Sequence, residues 1–194
     1  MDRLNRTAVL TRLTAKLRQH GSWCGETHLQ KSVYLLQDLL DVPTDFAFIL
    51  YKHGPFSFAL RDELTSLRAD GLLVLEPQAP PYGPRISATP LSERFEAACA
   101  GLLRRYEPQL ESVAGTVGAR TVGELERLAT ALYVTRQRTG DHDGSVDARA
   151  HCIHRLKPHI SVPLALEGVN EIDLLARQIR NTASCDREKT SQST

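Results

Sequence analysis

Several groups of side chains have types and spacings that could do chemistry. His151, Cys152, His154 and His159 are potential zinc ligands, and His151 and His154 stand three apart, near enough to share a helix face. No second ligand pair stands at a recognised spacing, so no metal is expected. Asp141-His142-Asp143-Gly144 has the opening of a calcium loop, but the twelfth position, where glutamate is needed, is Cys152. Cys24 has His20 and His28 four residues to either side. A cysteine nucleophile would also need an oxyanion hole and a third orienting group, and nothing supplies them. Asp62, Glu63 and Asp70 suggest a metal-dependent nuclease, yet Asp62 and Asp70 fall about two turns apart on one helix. No G-x-S-x-G, P-loop or dinucleotide glycine pattern occurs. The expectation is a protein that is not an enzyme and uses no cofactor.

The segment Tyr51-Lys52-His53-Gly54-Pro55-Phe56-Ser57 is the sharpest remaining feature. Gly-Pro breaks regular structure and Ser57 is a good helix N-cap. In one reading, Lys52 and His53 flank a helix N-terminus that attracts a phosphate or an acidic partner. In the other, Gly54-Pro55 only turns the chain, Phe56 and Phe58 pack in the core, and Ser57 caps the next helix.

The elements that must position these residues follow from periodicity. Leu10, Leu13 and Leu17, widened by Val9, mark an amphipathic helix over about 4–19, with Arg6, Arg12, Lys16 and Arg18 on its other face. Leu29, Val33, Leu36 and Leu40 mark a second helix over about 26–41. Phe46 to Tyr51 reads as a strand or extended connector. Leu60, Leu64 and Leu67 mark a third helix, about 58–69, closed by Gly71. Leu72–Leu75 and Pro84–Ala88 flank a turn-rich tip and read as a hairpin. Thr89-Pro90 opens a fourth helix running toward Pro108. Three helices and a hairpin in this order match the winged helix-turn-helix arrangement.

The second half is also helical. Thr121 to Glu124 fits a capping box before Val122, Leu125, Leu128, Ala129, Leu132 and Tyr133. Val146, Ala150, Ile153 and Leu156 form another stripe, and Ile172, Leu175 and Ile179 a last one. The expected class is mainly α with a small β-hairpin. Residues 1–108 would form the winged-helix-like domain, 109–181 a helical extension packed on it, and 182–194 a flexible tail.

Composition narrows the function classes. Over 194 residues, Lys+Arg is 24 and Asp+Glu 23, a net charge of +1, which excludes a broadly basic coating for nucleic acid. Aromatics at 6% argue against a stacking platform for single strands. No apolar run approaches the roughly 20 residues that span a bilayer, and residues 1–20 lack a signal peptide's apolar block. The expectation is a cytoplasmic protein with no membrane partner. Cys24, Cys99, Cys152 and Cys185 form no CxxC pair and are expected to be reduced thiols.

The stretch Gly25 to Leu75 resembles the YwgA-like family of small, uncharacterised prokaryotic proteins, and more loosely the Panacea group of SocA-type antitoxin domains. The matching pieces are Leu29-Gln30-Lys31 with Val33-Tyr34-Leu35-Leu36, then Tyr51 through Ser57, then Leu67 to Leu73. Weaker similarity continues through Leu128-Ala129-Thr130 and Leu156-Lys157-Pro158-His159. The resemblance implies a prokaryotic source and a winged-helix-like fold. From the Panacea group it implies neutralisation of a toxin by protein contact.

The expected function is therefore a non-enzymatic interaction protein that binds a protein partner, antitoxin-like or a defence-system subunit. Arginine outnumbers lysine 19 to 5, a bias that suits interfaces. The alternative is a winged-helix DNA-binding regulator. On the third helix Arg61 and Arg68 face Asp62, Glu63 and Asp70, a balance that opposes phosphate docking. The hairpin offers Tyr82 and Arg85. The candidate partner- or nucleic-acid-binding set is Lys31, Lys52, His53, Gly54, Pro55, Phe56, Ser57, Arg61, Arg68, Tyr82 and Arg85. Arg/Leu-rich helices such as 91–106 offer a surface for pairing with a second copy of the chain.

Overall fold

The computed structural model describes residues 1–80, 83–137 and 144–191, with side chains described as far as residue 181. The described chain is mainly helical, 66% helix, with two small antiparallel hairpins. It divides into two compact units, Met1–Glu126 and Arg127–Thr194.

In the first unit α1 (Arg3–Gln19) begins at Asp2, whose side chain accepts from Asn5 N at 2.8 Å. It is not the half-solvated helix its leucine stripe predicts. Nearly every residue from Thr7 to Leu17 is buried, polar ones included. Thr11 and Thr14 pass this test by donating their hydroxyls back to the carbonyls of Ala8 and Leu10 at 3.1 and 2.8 Å. The basic face is not a solvated face either. Arg12 donates to Glu107 at 2.8 Å and lies 3.7 Å from Glu96, while Lys16 meets Glu107 at 2.9 Å and also Glu111.

Those acids stand on α4 (Pro90–Ala98) and α5 (Ala100–Val117). Thr89 and Pro90 open α4 as the sequence predicts, with Thr89 and Ser92 forming a reciprocal capping box. The expected stop near Pro108 does not occur. The helix breaks at Cys99, and α5 carries Pro108 in its interior. Leu103, Tyr106, Leu110, Val113, Ala114 and Val117 hold one stripe of α5 buried, and that face packs on α1 and α2. Residues 109–117 thus belong to a helix with one face in the core.

Helix α2 (Glu26–Asp38) buries both its apolar and its polar residues from His28 to Leu36. The predicted strand over 46–51 shortens to β1 (Ile49–Tyr51), which pairs with β2 (Gly54–Phe56) in a hairpin the sequence reading did not contain. Gly54, at φ +83°, closes its turn. Helix α3 (Phe58–Ala69) follows, capped by Ser57, whose Oγ accepts from Leu60 N at 3.3 Å, and Gly71 turns out of it at φ +73°. Then β3 (Leu73–Glu76) and β4 (Arg85–Ala88) pair as predicted, Leu73 opposite Ala88 and Glu76 opposite Arg85.

Helix α6 (Val122–Arg136) starts with the predicted box: Glu124 Oε2 accepts from Thr121 N at 2.8 Å. The boundary between the units falls inside this helix. In the second unit α7 (Val146–Leu156) packs on α8 (Val162–Ser191), and Arg149 grips Asp173 with two bonds of 2.8 and 2.6 Å. Helix α8 extends to Ser191.

Candidate functional site

The segments that carry the family resemblance meet in space. From α2, Gln30 reaches Ser57 with two bonds: its Nε2 donates to Ser57 O at 2.9 Å, and its Oε1 accepts from Ser57 N at 2.9 Å. One turn position away, Lys31 is 1% exposed and donates from Nζ to Pro55 O at 2.8 Å. Two buried polar side chains therefore clamp the backbone of Pro55 to Ser57 from below. The clamp accounts for the sequence Leu29-Gln30-Lys31 together with Gly54-Pro55-Phe56-Ser57. The Pro55 carbonyl is buried, and a buried carbonyl requires a donor, which Lys31 supplies.

Lys31 faces inward and holds backbone, so it contacts no outside ligand. At the start of α3, Ser57 N bonds Gln30 and Leu60 N bonds the Ser57 hydroxyl, so neither group is turned toward an anion. Gly54 and Pro55 are buried, while Lys52 and His53 are exposed at the turn. His53 Nδ1 lies 3.7 Å from Glu126 Oε2.

The core role expected for Phe56 and Phe58 is not what is found. Phe58 is 42% exposed, Tyr51 52% and Ile49 48%, and Phe56 is half-buried. The three rings of Tyr51, Phe56 and Phe58 stack against one another with centroids 5.1 to 5.6 Å apart. Arg61 lies over the Phe58 ring at 5.1 Å. The clamp beneath β2 and the cap at Ser57 hold these rings on the surface, where they satisfy each other edge to face. One of the two sequence readings of the segment placed Phe56 and Phe58 in the core. Tyr51 precedes the exposed Lys52-His53 turn and Phe58 follows the Ser57 cap, while the core-facing slots of α3 belong to Leu60, Leu64 and Leu67.

Helix α3 separates its charges by face. Arg61, Leu64, Thr65 and Arg68 line a cleft of about 360 Å³ together with Leu75, Pro84 and the first residues of α2. Glu63 and Asp70 turn the other way toward Arg3, at 3.1 and 3.6 Å. Asp62 stays beside Arg61 at 3.5 Å. The three carboxylates thus sit with arginines and do not converge. Arg85 is placed apart from Arg61 and Arg68, over the ring of Trp23 at 4.2 Å. Tyr82 lies outside the described residues, as does Asp141-His142-Asp143.

The remaining candidates are held by structure. Cys24 is buried, with its thiol pushed up to about 12 by burial, which leaves no thiolate at neutral pH. Burial lowers the pKa of His28, and its Nε2 is 3.3 Å from Arg120 O. His151 and His154 turn their Nδ1 atoms to the carbonyls of Asp147 and Ile160, at 2.9 and 2.8 Å. No helix among the described residues is long and apolar enough to cross a membrane. In comparisons with known proteins, no family model matches the chain and no curated protein matches it.

Proposed function

We propose that the chain is a non-enzymatic interaction protein, winged-helix-like in its first unit, that binds a protein partner through the patch of Ile49, Tyr51, Phe56 and Phe58. The observation that carries this reading is the aromatic patch itself: three mutually stacked rings, two of them about half exposed, set beside Arg61. Exposed apolar clusters rimmed by polar groups are characteristic of binding surfaces. Tyr, Phe and Arg are the types enriched at interface cores. The patch lies within the Gly25–Leu75 stretch that resembles the YwgA-like and Panacea proteins, which favours an antitoxin-like or defence-system role. The test is a tagged pull-down from the source cells, half of it nuclease-treated, run beside a Tyr51→Ser, Phe58→Ser variant. The reading expects one stoichiometric protein that survives nuclease and is lost from the variant. A partner retained equally by the variant would contradict it.

A DNA-binding regulator is the second reading, favoured by one observation. The segregation of charge on α3 leaves Arg61, Thr65 and Arg68 on the cleft beside the β3–β4 hairpin, with Glu63 and Asp70 turned away. It predicts salt-dependent binding to duplex DNA, with a salt slope that falls by about one for each arginine replaced by alanine. No binding at low ionic strength would dismiss it. Arg12 and Lys16 offer it no support, because their charges are spent on α4 and α5.

A further inference from the structure

A second basic cluster lies on the first unit, assembled from three distant pieces of chain. Arg18 comes from the end of α1, Arg85 from β4 and Arg120 from the link between α5 and α6. Together with Trp23, Gly118 and Thr121 they line a concave cavity of about 410 Å³. None of the residues lining it is acidic. The nearest carboxylates stand at its margin: Glu76 is 4.0 Å from Arg18, and Glu124 accepts from the Thr121 amide and hydroxyl.

The fold holds this cavity firmly. Gly21 turns the chain at φ +79°, the Ser22 hydroxyl accepts from Cys24 N at 3.0 Å, and Ile86 N donates to Cys24 O at 2.8 Å. These bonds bring Trp23 under the Arg85 guanidinium, 4.2 Å from ring centroid to carbon. On the other wall Gly118 lies against His20 so closely that a Cβ there would stand 2.6 Å from His20 Cβ. One donor is left over. Arg85 Nε is buried and has no hydrogen-bond partner among the described residues. A buried N–H without an acceptor is costly, and a charged acceptor is the strongest remedy.

We propose that this cavity binds a small phosphate-bearing anion, a diphosphate in preference to a single phosphate. Three guanidiniums match two or more negative charges, and their planar donor forks suit phosphate oxygens in pairs. A phosphate oxygen that draws the Arg85 guanidinium toward the cavity supplies the acceptor its Nε lacks. The same movement lifts the cation from Trp23. The concavity favours a small molecule over a long backbone, which would follow a ridge or stripe.

Trp23 is the one tryptophan in the chain and lines both this cavity and the Arg61–Arg68 cleft, so its fluorescence reports binding at either and the cavity variants assign the change. The full-length protein is titrated with pyrophosphate at constant ionic strength, beside inorganic phosphate, sodium chloride and a short DNA duplex. The expected result is a saturable change with pyrophosphate, weaker with inorganic phosphate and absent with chloride. Arg120→Gln and Arg18→Gln are each expected to weaken pyrophosphate binding by about tenfold. Either variant suffices if the other fails to fold by circular dichroism. Arg94→Gln removes the same charge from exposed α4 and should leave the titration unchanged. The proposal is overturned by no saturable response to pyrophosphate, by a response that both cavity variants retain, or by a response to duplex DNA alone.

Discussion

At the scale of residues, Gln30 and Gly118 carry more weight than their types suggest. Gln30 is fully buried and exchanges two bonds with the backbone of Ser57. Gln30→Ala leaves both backbone groups without that partner and is expected to cost about 1–3 kcal/mol, read as a lower urea midpoint at unchanged slope. A midpoint equal to wild type would show that the clamp is not needed. Gly118→Ala forces a methyl group into the His20 side chain and should lower stability by about 1–3 kcal/mol, read as a drop in Tm. Neither requirement is legible in the sequence. A glutamine on a helix reads as a surface residue, and Gly118 reads as a loop signal. What was legible is local chemistry: Ser57, Thr89-Pro90 and Gly71 act as caps and stops because capping depends only on near neighbours.

At the scale of elements, the α1 seam with α4 and α5 couples folding to pH. Hydrogen bonds from Arg12 and then Lys16 hold Glu107 below the usual carboxylate range, and Lys16 and His20 do the same for Glu111. A depressed carboxylate stabilises the fold at any pH above its unfolded value, about 4.3 for glutamate. That contribution is lost as pH falls through the lower folded value. Burial raises Glu96, whose contribution runs the opposite way: it is present at low pH and is lost as pH rises through its folded value. Urea midpoints measured from pH 7 to 3 should therefore fall at the acid end in the wild type. Glu107→Gln should flatten that fall, and an unchanged profile would contradict the assignment. The same element shows where periodicity misleads. Arg6, Arg12, Lys16 and Arg18 mark a polar face on α1, yet Thr11 and Thr14 return their hydroxyls to the backbone and ion pairs let the helix bury Lys16. The β1–β2 hairpin was missed for a related reason: no Asn-Gly or Asp-Gly marks its turn, and the positive φ falls on Gly54, where Gly-Pro reads as a plain breaker.

At the scale of the whole molecule, the first unit places two unlike surfaces on one small body. The Tyr51–Phe58 patch is apolar and shallow, whereas Arg18, Arg85 and Arg120 form a charged concavity. A mainly helical class was legible because long apolar stripes survive any tertiary arrangement. The two surfaces were not, since each depends on chain segments brought together by folding. The near-zero net charge hid the separation of Arg61, Thr65 and Arg68 from Glu63 and Asp70. The protein-binding and DNA-binding readings share Arg61 but differ at Phe58 and Arg68, so variants at those two positions can part them. The most direct measurement is the nuclease-treated pull-down repeated with Phe58→Ser and with Arg68→Ala. The account predicts that Phe58→Ser weakens capture of the protein partner by about thirtyfold, the effect of losing one aromatic anchor, while the arginine variant keeps it. Capture that persists in Phe58→Ser, with DNA binding lost from the arginine variant, would contradict the central claim.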